Sequence, residues 1–241
     1  MKKSTIMLLI GALFIFVLML STIIFFRYQA GKFIEKSSDN SSIIAASGVL
    51  ETKEYKFRNF DSLYFENMWD VVITGSNRYY IKVEADKNLL AMISVTQDGE
   101  TVIFDYDGYL KDRTDRSGDV VVRIGMPDLE NLEFTGMGNI NLNNFDLDSL
   151  EIKNSGASNI TGSDISIEDL HLVVNGAANA ELDNYRIKNC ELDISGAAMI
   201  DLRMDGGILS GQVSGAASVT YSGTVSKESV HVWGIGSLEH K

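Results

Sequence analysis

"NSGASNITG" (Asn154–Gly162), "VNGAANAEL" (Val174–Leu182), "ISGAAMIDL" (Ile194–Leu202) and "VSGAASVTY" (Val213–Tyr221) are four versions of one phrase. A glycine-rich phrase has two physical readings: a cradle for phosphate, or a corner in the chain. A cradle needs a strand before the turn, a helix after it, and a lysine or acidic residue at a set distance. No helical period follows any of these glycines, and a loop repeated this often serves no single nucleotide. They read as corners.

Taking the glycine as anchor extends the pattern in both directions, to Gly136, Gly156, Gly176, Gly196, Gly215 and Gly234, at spacings of 20, 20, 20, 19 and 19 residues. A fixed period of this size is the mark of a solenoid, in which each repeat is one coil. Aligned on the anchors, alternate positions are largely apolar. Four residues before the glycine stand Leu132, Ile152, Leu172, Leu192, Gly211 and Val230; four after it stand Ile140, Ile160, Ala180, Ile200, Val219 and Leu238. Period-2 alternation means strands with one face buried. A third, weaker run appears at Phe145/Leu147, Ile165/Ile167 and Tyr185/Ile187. The expected fold is all-β, a parallel β-solenoid of roughly 20-residue coils, with equal positions about 4.8 Å apart along the axis. Glycine at each corner is expected to supply a positive φ. The column after it (Met137, Ala157, Ala177, Ala197, Ala216, Ile235) is expected to be small because coils crowd there.

"SLYFENMWDVVI" (Ser62–Ile73) lies over "NLEFTGMGNINL" (Asn131–Leu142) without a gap, matching Leu63 to Leu132, Phe65 to Phe134 and Met68 to Met137. Asn67 falls on the glycine, and asparagine is among the few other residues that tolerate the left-handed region. This predicts a degenerate first coil, separated from the regular ones by an insertion. The insertion holds "RYYIKVEAD", "AMISVTQDGETVIFDYD" and "DVVVRIGMP", with the polar "YDGYLKDRTDRSGD" between the last two. We expect these strands, in part antiparallel, to pack on the solenoid and cap it, because an exposed end pairs with other chains. Pro127 marks the passage into the regular coils.

Before all this runs "STIMLLIGALFIFVLMLSTIIFF" (Ser4–Phe26), uncharged and, at about 1.5 Å per residue, long enough for a hydrocarbon core of about 30 Å. It is read as an uncleaved signal anchor, with a cleaved signal peptide as the competing reading. The expected organisation is 1–28 anchor, 29–48 polar stalk, 49–128 β-rich region with the degenerate coil, and 129–241 regular repeats, with the body outside the cytoplasm. The net charge of −12 speaks against nucleic acid, whose binding needs a basic stripe. Cys190 is the only cysteine, so no intramolecular disulfide and no thiolate metal cage is expected. It shares a position with Leu150 and Leu170 and reads as a small buried hydrophobe.

The chain resembles the head GIN domain family of auto-transporter adhesins, on "NFDSLYFENMWDVVITG" and on the serial Ser-Gly-Ala units at Ser155–Ile160, Ser195–Ile200 and Ser214–Val219. The resemblance covers roughly Gly48 to Lys241. It implies an all-β solenoid on a bacterial envelope protein and an adhesin role, and it brings no catalytic residues. Many members look secreted or lipid-linked, whereas this chain has a long apolar N-terminus without a lipid-bearing cysteine.

Three sets of residues suggest chemistry. Glu151, His171 and Glu191 fall five residues before successive anchors and would stack on an outward face, as a metal site or acid–base pair, or as an ordinary solvated face. Glu181 beside Asp201 suggests a glycosidase acid pair or calcium carboxylates, without the further ligands calcium takes. Asn139, Asn159 and Asn179 suggest an amide ladder from coil to coil. Trp69, Tyr79, Tyr106 and Tyr109 are read as a contact surface, with caps or core as the equal alternative. Neither a catalytic set nor a cofactor is expected. The expected function is a non-enzymatic, membrane-anchored envelope protein displaying a solenoid for adhesion or for binding a glycan or protein. A polysaccharide-active β-helix enzyme and a structural or sensory envelope module are the alternatives.

Overall fold

The computed structural model of the protein describes residues 46–106 and 120–241. The proposed anchor Ser4–Phe26 and Tyr109 lie outside them. Among the described residues no helix is long and apolar enough to cross a membrane.

Alternation shapes each side of a coil, and slips in its phase mark where the coil turns. After Met137 the buried residues are Ile140 and Leu142, then Phe145 and Leu147, then Leu150, Ile152 and Asn154, with two consecutive outward residues at each slip. A strand cannot place neighbours on the same side without bending. The chain therefore turns at Asn143–Asn144, at Asp148–Ser149 and again at Ser155–Gly156, giving three sides per coil. Asn144 and Asp164, one coil apart at the same turn, have φ of 61° and 57°. Asparagine and aspartate hold that left-handed conformation at the least cost after glycine.

The strands are β1 (Leu50–Tyr55), β2 (Ser62–Phe65), β3 (Met68–Gly75), β4 (Tyr80–Asp86), β5 (Ile93–Asp98), β6 (Thr101–Tyr106), β7 (Val121–Met126) and β8 (Asn131–Phe134). The coils β9 (Met137–Asn154), β10 (Ala157–Val174) and β11 (Ala177–Ile194) follow, then β12 (Ala197–Asp205), β13 (Ile208–Val213), β14 (Ala216–Thr224), β15 (Lys227–Val232) and β16 (Ser237–His240). Neighbouring coils pair parallel and in register, Ile160 with Ile140 and Ala180, Leu172 with Ile152 and Leu192. The later coils are one residue shorter: the register against β12 shifts between Leu182 and Ile187, at the turn equivalent to Asn143–Asn144, and Cys190 then pairs with Leu209 of β13. Where Gly162 leaves the interior column empty, Tyr185 fills it from the next coil, buried and donating its hydroxyl to the Thr161 carbonyl at 3.2 Å.

The degenerate copy pairs as its alignment requires, Leu63 with Leu132, Phe65 with Phe134, Met68 with Met137 and Val71 with Ile140. Its place in the stack corrects the expectation. β6 runs parallel to β2, and β7 parallel to β3, on the side away from β8 and β9. The insertion therefore contributes a further coil, later in sequence but farther out in space, and the copy at Ser62–Ile73 is sandwiched inside. Among the described residues the antiparallel pairs are β4 against β7, β5 against β6 and β1 against β4. A one-turn helix, α1 (Lys87–Leu90), crosses from β4 to β5 and buries Leu89 and Leu90.

This coil swap is held by aromatic stacking. Phe65 lies between Phe104 and Phe134, with ring centroids 4.4 Å and 4.6 Å apart. Trp69 and Tyr106 close the cluster at 5.2 Å from each other. Of the two readings of Trp69 and Tyr106, contact surface or core, the structure bears out the core: both are buried, and Tyr79 packs partly buried against it. Large rings this close to an insertion serve as core, since a swapped coil has no small-residue corner of its own to dock by.

The corner glycines need a different account from the expected one. Gly215 and Gly234 have φ of 93° and 91°, and Asn67 of 69°, but Gly136, Gly156, Gly176 and Gly196 are not in the left-handed region. What they lack is room. A Cβ on Gly156 would lie 1.6 Å from the Gly136 carbonyl oxygen, and one on Gly196 would lie 1.8 Å from that of Gly176. Those carbonyls accept the N–H groups of Ala157 and Ala197 at 2.8 Å and 3.0 Å, so the close approach is the inter-coil ladder itself. The following column is corrected too. Met137, Ala157, Ala177, Ala197, Ala216 and Ile235 are exposed, and the crowded small residues are one step further on, at Gly138, Ser158, Ala178, Ala198 and Ala217.

Cys190 is 2% exposed, and burial, helped by Glu191, pushes its thiol up to about 12. Since the thiolate is the reactive form, alkylation at neutral pH should be undetectable in the folded chain and complete after denaturation. Labelling of the native chain at the rate of a free thiol would contradict the burial.

Candidate functional site

Two sides of the coil are wide enough to present a surface. On the first, which begins at the glycine corner, outward residues in successive coils are Asn139, Asn141 and Asn143, then Asn159, Thr161 and Ser163, then Asn179, Glu181 and Asp183. Their amides and hydroxyls bond along the stack. Asn139 Nδ2 donates to Asp70 at 2.6 Å, Asn141 Nδ2 to Thr161 at 3.0 Å, and Asn179 Nδ2 to Asn159 at 2.9 Å. The result is a flat, neutral-to-acidic polar lattice with a spacing of about 4.8 Å between rows. Parallel ladders fix the backbone beneath it, so little side-chain freedom remains to be lost on binding.

Glu181 and Asp201 are register partners on this side. Each carboxylate is engaged, Glu181 by Asn179 at 3.2 Å and Asp201 by Lys241 at 3.2 Å. Among the described residues no group of three acidic, histidine or cysteine side chains is placed to hold a metal ion. The pair reads as part of the polar lattice.

The other wide side carries Glu151, His171 and Glu191 on consecutive coils. The structure brings His171 to Glu151, Nδ1 to Oε1 at 3.2 Å, but the second contact is to Asp193, Nε2 to Oδ2 at 3.0 Å. Glu191 lines the same shallow groove without reaching the ring. Asp193 stands three residues before its glycine and His171 five before its own, so the contact is diagonal. A search along straight columns misses it, although the outward parity shared by both residues was available. Lys153 closes the row 2.6 Å from Glu151. These groups are partly exposed, and such ion pairs contribute about 0.2–1 kcal/mol each. His171 makes two such contacts, so His171→Ala is expected to lower stability by no more than about 2 kcal/mol. A loss several times larger in chemical denaturation would mark the row as more than a solvated brace.

Fold and surface together define a class: a parallel β-solenoid whose sides are polar lattices, with acidic groups engaged by neighbouring amides, lysines and a histidine. Comparison with known proteins agrees. Residues 59–185 match the model of the family described as "Putative auto-transporter adhesin, head GIN domain", and the chain belongs to that family. The match runs from the start of the swapped coil to Tyr185. Among solved structures, a protein described as a putative adhesin from Bacteroides fragilis is 21% identical with a TM-score of 0.68, over 82% of this chain and 100% of that one. Another, described as a putative lipid binding protein from Parabacteroides distasonis, is 17% identical with a TM-score of 0.54, over 82% of this chain and 99% of that one. At such identities the likeness is one of fold. The chain matches no curated protein.

Proposed function

We propose that the chain is a non-enzymatic, membrane-anchored envelope protein that displays its solenoid as a rigid binding face for a glycan or protein ligand, with Ser4–Phe26 as the anchor and the body outside the cytoplasm. The observation that carries this reading is the lattice from Asn139 to Asp183, an ordered polar plane built from amides, hydroxyls and carboxylates. Such groups present donors and acceptors in fixed rows, which suits the hydroxyl arrays of a sugar chain or the backbone of an extended peptide. Family membership and the names of the solved relatives point the same way.

The test is binding of the full chain, in detergent, to glycan and envelope-protein arrays, compared with Thr161→Arg. The substitution places a long cation in the middle of the lattice at a half-exposed position. Binding should fall about tenfold or more, as when a central contact is lost, with the melting temperature little changed. Binding unaffected by Thr161→Arg, or no ligand on either array, contradicts the proposal.

A further inference from the structure

The described unit is finished differently at its two ends. At one, β1 is exposed along nearly its whole length and carries Glu51, Lys53 and Glu54, with Lys87 2.9 Å from Glu51 and Lys82 2.8 Å from Glu54. Charges along an edge strand discourage pairing with another chain. At the other end, among the described residues, β15 pairs only with β13 and β16 only with β14, so each leaves a ladder edge. Exposed apolar side chains gather there: Trp233 is 53% exposed, Ile235 87%, and Met199 60%, the last two bordering a hollow of about 460 Å³. The rings of His231 and Trp233 stack at 5.8 Å on the outer face.

Charge and register select the occupant. The chain carries a net charge of −12, yet in this coil Lys227 and Lys241 balance Glu228 and Glu239. Two copies repel one another over most of their surface, and here they do not. A two-fold axis through Val230, normal to the sheet, sets β15 antiparallel to its own copy. It opposes Val230 to Val230, Ser229 to His231, Glu228 to Val232 and Lys227 to Trp233. Lys227 and His231 share the outer face of β15 by parity, and Trp233, the residue after the strand, shares it by stacking on His231. A lysine opposite an indole gives a cation–π contact, and Ser229 opposite histidine gives a hydrogen bond.

We propose that the terminal coil docks a second copy of this chain, by antiparallel pairing of β15 about a two-fold axis at Val230. A two-fold contact uses the same patch on both molecules and closes on itself, so it yields a dimer and not a fibre. It also sends the two β1 ends in opposite directions.

Sedimentation of the full chain in detergent over a wide concentration range tests the pairing. A monomer–dimer equilibrium is expected. Trp233→Glu together with Ile235→Glu should weaken it about tenfold or more while leaving the melting temperature unchanged, since both side chains are exposed. Val230→Cys should form a disulfide between copies under mild oxidation. A monomer at all concentrations, or a dimer that survives the double substitution, overturns the inference. So does a monomer whose glycan binding is lost with Trp233→Glu, which would assign the stacked rings to a sugar. The arrays separate the two readings: a dimer that binds no ligand supports the pairing and defeats the proposed function, whereas ligand binding by a monomer does the reverse.

Discussion

Gly196→Ala is expected to destabilise the protein by about 3 kcal/mol or more, or to prevent folding, at the upper end of what forced overpacking costs. The added methyl would lie 1.8 Å from the Gly176 carbonyl oxygen, which already accepts the Ala197 N–H at 3.0 Å. Neither partner can yield, because both belong to ladders continued in the coils on either side. For a domain of this size such a loss lowers the melting temperature by roughly 6–12 °C. The informative comparison is Gly99→Ala. There φ is +60° with nothing within 4 Å of the added carbon, so only the left-handed conformation is penalised, at about 1–2 kcal/mol. An account based on conformational freedom alone reverses the order, because Gly196 is not left-handed and alanine would then be tolerated or favoured there. Thermal melts of the two variants decide, and a neutral Gly196→Ala would sink the close-approach explanation.

Phe65→Ala is expected to cost about 3–5 kcal/mol, the usual loss for a buried phenylalanine. Phe65 is fully buried and lies between Phe104 and Phe134 at 4.4 Å and 4.6 Å, with Trp69 edge-on at 6.2 Å. Its ring is the one shared by three consecutive coils, so the cavity opens where the swapped coil meets the regular stack. Chemical denaturation should show the loss, with the outermost strands β4 to β7 gaining hydrogen exchange first. A cost below about 1 kcal/mol would mean that the stack does not hold the coils together.

How much of this was legible in the sequence depends on the residue. The alternation of Leu132, Phe134 and Ile140 and its return at Ile152, Ile160 and Leu172 fixes strands, period and inward face, because burial acts on each coil in the same way. The alignment of Leu63, Phe65 and Met68 on Leu132, Phe134 and Met137 gives the true register, since the same neighbours are packed in both coils. The coil of β6 and β7 was not legible. Between Phe104 and Val121 the sequence has a long polar stretch in place of the two-residue corner, so the repeat loses its anchor, and order along the chain misleads about order in space. Residue type also leaves the job of glycine undecided: Gly215 and Gly196 read alike, yet one turns with positive φ and the other makes room for a carbonyl. For the candidate site, the outward rows were visible, but contacts across them were not. His171 meets Asp193 instead of Glu191 because side-chain reach on a sheet includes the diagonal. Trp69 and Tyr106, open in the sequence to a surface or a core reading, are core because they pack on Phe65, Phe104 and each other where the two coils stack.

The order of the coils is the claim on which the rest stands, and paired cysteines test it most directly. Asp70 is register partner to both Val121 and Asn139, one on each side. Cysteines at Asp70 and Val121, and separately at Asp70 and Asn139, should each form a disulfide on mild oxidation, with strands about 4.8 Å apart and native Cys190 buried and silent. Cysteines at Val121 and Asn139 should not, being two strand spacings, about 9.6 Å, apart and beyond the reach of a disulfide. Cross-linking of Val121 to Asn139 with failure of either Asp70 pair would contradict the swapped stack.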